Sequence, residues 1–238
     1  MAKILSNRHL AAGFFMLKAQ CEDKPRPGQF YMLRAWGAYP LLSRPISVFD
    51  ADSVSVSFLI KNVGKGTDIL SRLDAGDELA LDGPHGNGWP QTEGLPPGKI
   101  ALVGGGVGIA PLYLAAKKIA EGGKKADLFL GFSEAPVLKE EYSALGRLTL
   151  DVGGFITDKV QPADYGLIWA CGPEAMMRAL YRKCHDASAA KGLYVSMENR
   201  MACGFGACLV CTCKTVSGNK KVCADGPVFK GEEVFGRD

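Results

Sequence analysis

The chain reads as a β + α/β protein: an N-terminal antiparallel β-barrel, a parallel α/β unit, and a small C-terminal segment rich in cysteine. Three observations predict this. Residues 1–95 alternate short apolar runs with turn residues and hold one short helical stretch, as antiparallel barrels do. After the punctuation Gly94-Leu-Pro-Pro-Gly98, strand patterns alternate with helix patterns. From Glu198 the pattern breaks again, and five of the 8 cysteines follow it. The expected units are therefore 1–95, 96–197 and 198–238.

In the first unit the alternation predicts strands over 9–19, 29–36, 46–49, 54–61 and 78–81. Pro27-Gly28 and Asp50-Ala51-Asp52 separate some of them. A helix is expected over about 68–73. In the second unit, residues 100–103 form a continuous apolar run, suited to a strand covered on both faces. A helix should follow over 111–121, with Pro111 tolerated in its first turn. Further strands are expected over 128–132, 148–152, 167–170 and 193–196. A second helix is expected over 173–185, with Met176, Met177, Leu180, Tyr181 and Cys184 along one face.

At 238 residues the chain has room for two domains and a small third. Its formal charge of +3 is too small to argue for nucleic-acid or membrane binding. No apolar run approaches a bilayer-spanning length, and the first residues lack an apolar signal core. The expected location is the cytoplasm, where the cysteines stay reduced and a disulfide framework is not expected.

Cys203-Gly-Phe-Gly-Ala-Cys208-Leu-Val-Cys211, followed at a distance by Cys223, is a C-x4-C-x2-C…C pattern. That is the ligand spacing of plant-type [2Fe–2S] centres. Three thiolates come from one loop, in which Gly204 and Gly206 let the backbone turn sharply. The fourth follows a hairpin expected over 212–222, with Ser217-Gly218-Asn219 at its tip. A structural zinc site ordinarily uses paired C-x2-C knuckles, and Cys208/Cys211 is the single such pair. Cys213 reads as a small packed residue, while Cys21, Cys171 and Cys184 are scattered and unpaired.

Two stretches of the first unit suit a flavin dinucleotide. Arg44-Pro45-Ile46-Ser47 offers a guanidinium for a phosphate and a hydroxyl for a ring edge. Leu59-Ile60-Lys61 runs on to Gly66-Thr67, where the expected helix opens and backbone N–H groups face an anion; the plain alternative is a helix cap. In the second unit, Gly104-Gly105-Gly106-Val-Gly108-Ile-Ala-Pro111 joins a strand to a helix. It departs from the ordinary dinucleotide fingerprint, because Pro111 stands where that helix would continue. Cys171-Gly172-Pro173 forms a second turn of the same kind. In a parallel sheet both turns lie at the carboxyl ends of strands, where ligands bind. No basic cluster accompanies Gly131-Phe-Ser-Glu134, which favours NAD over NADP.

These elements, in this order, resemble the ferredoxin–NADP reductase superfamily, and within it the electron-transfer subunits of class 1B dihydroorotate dehydrogenases. The resemblance rests on the motifs above and on Gly83-Pro-His-Gly-Asn-Gly88, Ser196-Met-Glu-Asn-Arg-Met-Ala-Cys203 and Val222-Cys-Ala-Asp-Gly-Pro-Val-Phe229. It implies FAD held by residues 44–47, 59–61 and 66–67, and one [2Fe–2S] cluster held by Cys203, Cys208, Cys211 and Cys223. It also implies an FMN-containing catalytic partner that oxidises dihydroorotate to orotate for pyrimidine biosynthesis, in a heterotetramer, with electrons delivered to NAD. Two stretches look short for the family: 151–158 and the gap between Cys211 and Cys223. Ile46 stands where other reductases of the superfamily often carry an aromatic residue.

On this reading the cofactors carry the chemistry and no catalytic acid or base is expected. His9, His85 and His185 lie beside no candidate nucleophile. The rival readings are a flavin–cluster subunit of a ferredoxin:NADP transhydrogenase or sulfide dehydrogenase, and a non-enzymatic zinc-stabilised binding domain.

Overall fold

The computed structural model describes residues 1–91 and 98–237. Of the expected boundary at 94–98, residues 94–97 lie outside the described residues.

The first half holds seven strands: β1 (Ala2–His9), β2 (Phe14–Gln20), β3 (Phe30–Arg34), β4 (Arg44–Ser47), β5 (Asp50–Ala51), β6 (Ser55–Lys61) and β7 (Glu78–His85), with helix α1 (Lys65–Ser71) after β6. They form one antiparallel sheet in the order β4-β3-β7-β1-β2-β6-β5. The sheet closes because β4 and β5 are halves of one stretch. Val48 N–H donates to Gln29 O on one side, and Phe49 N–H to Ser57 O on the other. A closed barrel leaves no free edge. Its interior is apolar, with Phe15, Leu17, Tyr31, Leu33, Phe58 and Ile60 all buried.

The strand expected over 9–19 is two strands. Ala11–Gly13 forms a 3-10 turn, with φ of 55° at Ala12 and 73° at Gly13, and this turns the chain back on itself. The apolar alternation runs straight through the turn and hides it. The helix expected over 68–73 begins three residues earlier, at Lys65.

The second half is a six-stranded sheet of β8 (Lys99–Gly105), β9 (Ala126–Phe132), β10 (Gly146–Val152), β11 (Tyr165–Cys171), β12 (Leu193–Ser196) and, far along the chain, β15 (Val228–Lys230). The order is β10-β9-β8-β11-β12-β15; only β15 runs antiparallel. Helices α2 (Ala110–Glu121), α3 (Lys139–Ser143) and α4 (Glu174–Asp186) join the strands. The order reverses between β8 and β11, so a crevice opens beyond their carboxyl ends.

The C-terminal segment adds the hairpin β13 (Thr212–Thr215) and β14 (Gly218–Lys221), and helix α5 (Gly231–Phe235). β15 and α5 carry no strong pattern of their own; their place is set by pairing with β12 and by burial of Phe235.

Specific contacts lock barrel to sheet. Phe49 stacks on Tyr113 of α2 at 4.2 Å, and Trp89 stacks on Trp169 of β11 at 5.2 Å. Lys117 of α2 bonds Asp50 of β5 at 2.8 Å. The 83–88 motif serves the same end. Asn87 donates to Val228 O (2.8 Å) and accepts from Val228 N–H (3.1 Å), while Asn87 N–H donates to Gly226 O (2.7 Å). A methyl on Gly86 would drive into Pro227. The barrel rim is thereby fastened to the segment that follows Cys223.

Candidate functional site

A cleft of about 250 Å³ opens where the three units meet. One wall is the barrel: Pro45, Ile46 and Ser47 of β4, Leu59, Ile60 and Lys61 of β6, and Thr67 of α1. These lie together because β4 and β6 are brought close by barrel closure. Arg44 and Gly66 directly precede the lining residues Pro45 and Thr67 in the chain. The Arg44 guanidinium lies over Gly66, where a methyl would stand 2.6 Å from Cζ, so glycine makes room for the cation. Arg44 also stacks on Trp36, 5.3 Å from the ring centre, and donates to Leu42 O. Its charge is held in place beside the first turn of α1, where N–H groups are exposed. Thr67 has a different part. Its hydroxyl accepts from Val63 N–H (3.0 Å) and Gly64 N–H (3.1 Å), so it ties down the loop before α1.

The glycine-rich turn and the Cys171-Gly172-Pro173 turn face each other at the crevice. Cys171 pairs in register with Gly104 on one side and Ser196 on the other. A methyl on Gly105 would lie 2.7 Å from Met176 Sδ, and one on Gly108 would lie 2.6 Å from Gly172 Cα. These glycines let two backbone turns interlock. Gly106 differs: φ is 56° and nothing stands within 4 Å of its missing side chain. It is the member of the turn open to a ligand.

The opposite wall of the cleft was not anticipated. It comes from Val107 within the glycine-rich turn and Ala110 after it, and from Ser196, Met197, Glu198, Asn199 and Met201 leading to the first cluster cysteine. Apolar or ordinary side chains carry no motif chemistry. Their position beyond the carboxyl ends of β8 and β12 was the available signal. Glu198 is crowded by protein yet reached by solvent through the cleft; burial pushes its carboxyl pKa up. Burial also raises the Cys171 thiol, and the nearby Glu198 charge adds to this.

The four expected ligands converge in the C-terminal unit. Gly204 and Gly206 have φ of 82° and 93°, and the loop they allow curls its N–H groups inward. Cys211 Sγ and Cys223 Sγ are 3.2 Å apart; Cys208 N–H donates to Cys203 Sγ at 3.5 Å. Burial tends to raise the Cys203 thiol, but N–H groups of Cys208, Phe205 and Ala207 bring it down to about 6. Burial, with Cys211 and Cys203 beside it, pushes Cys223 up to about 12. A thiol held up in this way by its neighbours needs a cation to become a thiolate beside them. Among the described residues no three His, Cys, Asp or Glu side chains surround a point suited to one metal ion. The sulfurs gather as two pairs, Cys203/Cys208 and Cys211/Cys223, and this donor set fits a two-iron cluster, in which each iron takes two cysteines. Cys213 is half-buried on β13, and burial raises its pKa.

The comparisons with known proteins agree with this geometry. Residues 198–235 match the family model for the iron–sulfur cluster binding domain of dihydroorotate dehydrogenase B. The dihydroorotate dehydrogenase B (NAD+) electron transfer subunit of Clostridium acetobutylicum is 42% identical, over 99% of this chain and 97% of that protein. The subunit of the same name from Clostridium perfringens is 39% identical over 98% and 96%. Among solved structures, a chain from work on flavin-based electron bifurcation by an NADH-dependent reduced ferredoxin–NADP oxidoreductase superposes with a TM-score of 0.87. It is 29% identical and covers 98% of this chain and 89% of that one. A ferredoxin NADP+ reductase from Neisseria gonorrhoeae with bound FAD and NADP shares the fold at a TM-score of 0.66 and 19% identity, over 84% of this chain and 93% of that one. With such identity over nearly its whole length, this chain belongs to the family of dihydroorotate dehydrogenase B (NAD+) electron transfer subunits.

Proposed function

We propose that this chain is the electron-transfer subunit that links an FMN-containing dihydroorotate dehydrogenase catalytic subunit to NAD. One observation carries the reading: a single cleft is walled by the barrel, by the glycine-rich turn and by the strand leading into the cysteine loop. That cleft borders the glycine-rich turn and the segment leading to the first cluster cysteine, so a ring system held there would adjoin both.

The bound cofactors supply the chemistry: single-electron transfer at the cluster, and exchange between single electrons and a hydride at the flavin. The residues bind and orient. Cys203, Cys208, Cys211 and Cys223 hold the cluster. Pro45, Ile46, Ser47, Leu59, Ile60 and Lys61 would hold FAD from the barrel side, where Ile46 offers an aliphatic rather than an aromatic surface. Arg44 would supply the cation for the pyrophosphate, and Gly66 makes space for its guanidinium. The Gly104–Gly108 turn and the Cys171–Pro173 turn receive the nicotinamide dinucleotide at the crevice. After β9 comes Ser133-Glu134 with no cation, which suits the free ribose hydroxyl of NAD. The units 1–95, 96–197 and 198–238 correspond to these three tasks. The heterotetramer and the cytoplasmic setting belong to the same reading. Among the described residues no helix is long and apolar enough to cross a membrane.

The alternative, a flavin–cluster subunit of a ferredoxin:NADP transhydrogenase or sulfide dehydrogenase, would use the same architecture, and the 29% identical ferredoxin–NADP oxidoreductase structure keeps it in view. The higher identity to the dihydroorotate dehydrogenase subunits and the four-cysteine ligand set favour the first reading. The test is reconstitution. The isolated chain should oxidise NADH with an artificial acceptor and leave dihydroorotate untouched, and adding the catalytic subunit should give dihydroorotate-dependent NAD reduction. Dihydroorotate turnover by the chain alone would refute this division of labour.

A further inference from the structure

His85 ends β7 inside the 83–88 motif, and it stands between the cleft and the cluster loop. On one side its ring lies 5.6 Å from that of Phe30, which lines the cleft. On the other it abuts Gly204, the residue after the first cluster cysteine. A methyl built on Gly204 would stand 3.3 Å from both Cδ2 and Nε2 of His85. The side chain is 17% exposed, and Nε2 itself is out of reach of solvent and makes no hydrogen bond. The Asp82 carboxylate comes within 3.2 Å of Nε2, but out of line for a hydrogen bond. An orphaned buried nitrogen is uncommon and calls for a partner. The edge that carries it abuts Gly204, the residue that follows Cys203 in the cysteine loop. Sulfur anions are acceptors, so a lone pair on Nε2 would meet like charge there, whereas an N–H would meet a partner.

We propose that His85 Nε2–H donates a hydrogen bond to the sulfurs of the cluster seat, and so sets the reduction potential of the cluster held there. This rests on the reading that the four cysteines hold a [2Fe–2S] cluster. Reduction adds one negative charge to the cluster, so a donor aimed at its sulfurs stabilises the reduced form more than the oxidised form and raises the potential. His85 is a positioning and tuning residue; it transfers no proton and binds no iron. His85 touches both Phe30 of the cleft and Gly204 of the cysteine loop, so the adjustment would be made where the two sites adjoin.

The test is an EPR-monitored redox titration of the full chain, loaded with FAD and cluster, as wild type, His85→Leu and His85→Gln. The glutamine amide places an N–H near the position of Nε2. His85→Leu should shift the reduction equilibrium about tenfold against the reduced cluster, ~59 mV for a one-electron couple, with iron content and flavin potential unchanged. His85→Gln should restore at least half of that shift. A leucine variant with full iron and the wild-type potential would overturn the proposal, as would a glutamine variant displaced as far as the leucine one. Should the leucine variant fail to assemble a cluster, the glutamine variant decides alone: a near-wild-type potential supports the hydrogen bond, and a lowered one overturns it. Failure of the cluster reading is distinct, because wild-type protein would then contain neither iron nor acid-labile sulfide.

Discussion

The cysteine loop and the glycine-rich turn use the same residue for different ends. In the loop, Gly204 and Gly206 both take positive φ, and the backbone wraps inward around the space the sulfurs share. In the turn, positive φ occurs at Gly106 alone among Gly104, Gly105, Gly106 and Gly108. Gly105 and Gly108 are small because the Cys171–Pro173 turn and Met176 press against them. In the loop, glycine density marks backbone conformation around a ligand. In the turn, it mostly marks two pieces of backbone in close contact. The cavity lining follows this difference, since Val107 and Ala110 reach the cleft while their glycine neighbours do not.

The largest effect should come from breaking the loop's donor set. Cys223→Ser removes one member of the buried 3.2 Å pair, and the purified variant should lose nearly all iron and acid-labile sulfide. Cys213→Ser, two residues past Cys211 but outside the two sulfur pairs, should keep both. Iron and sulfide assays with the visible spectrum measure this, and equal losses in the two variants would undo the assignment of the pairs.

Next in size is the contrast between an anion held by a side chain and one held by backbone. Arg44 is stacked on Trp36 and lies over Gly66, so its guanidinium is preorganised. Arg44→Ala should weaken FAD binding about ten- to hundredfold, the range for a lost hydrogen bond to a charged group. Flavin fluorescence released on dilution reads it out. Unchanged FAD retention would mean that the pyrophosphate is seated on backbone groups, as at a glycine turn.

Much of this was legible in the sequence, for reasons that differ by region. Ligand spacing is local, so Cys203, Cys208 and Cys211 needed only a loop, and Cys223 needed only the β13–β14 hairpin to bring it back. The central strands β8 and β11 of the parallel sheet were legible because they are largely buried and read as apolar runs. β1 was missed because residues 2–9 are mostly exposed or half-buried, with Ile4 alone fully buried. β15 was missed because it is three residues long and exists through its pairing with β12. The far wall of the cleft was missed for a related reason. Met197, Glu198 and Met201 become a wall only when residues 225–228 are fastened to Asn87, more than a hundred residues away. Helix and strand periodicities do not encode such a contact.

The turn itself supplies the smaller effects. Gly108→Ala places a methyl against the backbone of Cys171 and Gly172, which cannot yield as a side chain end would. Overpacking of this kind costs about 1–3 kcal/mol, and at ~2–4 °C per kcal/mol for a chain of this size the melting temperature should fall by about 2–12 °C. Gly106→Ala meets no atom, but must hold an L-residue at φ 56°, which costs about 1–2 kcal/mol. Its melting temperature should therefore fall no further than that of Gly108→Ala. Its larger consequence should be kinetic: the added methyl stands in the crevice, so the KM for NADH should rise severalfold while the cluster's EPR spectrum stays as in wild type. The two alanines thus separate the two uses of glycine within a single turn. A Gly106→Ala variant with wild-type KM, beside a Gly108→Ala variant with raised KM and an unchanged melting temperature, would invert the assignment and place the nucleotide against the very glycines that here grip the neighbouring backbone.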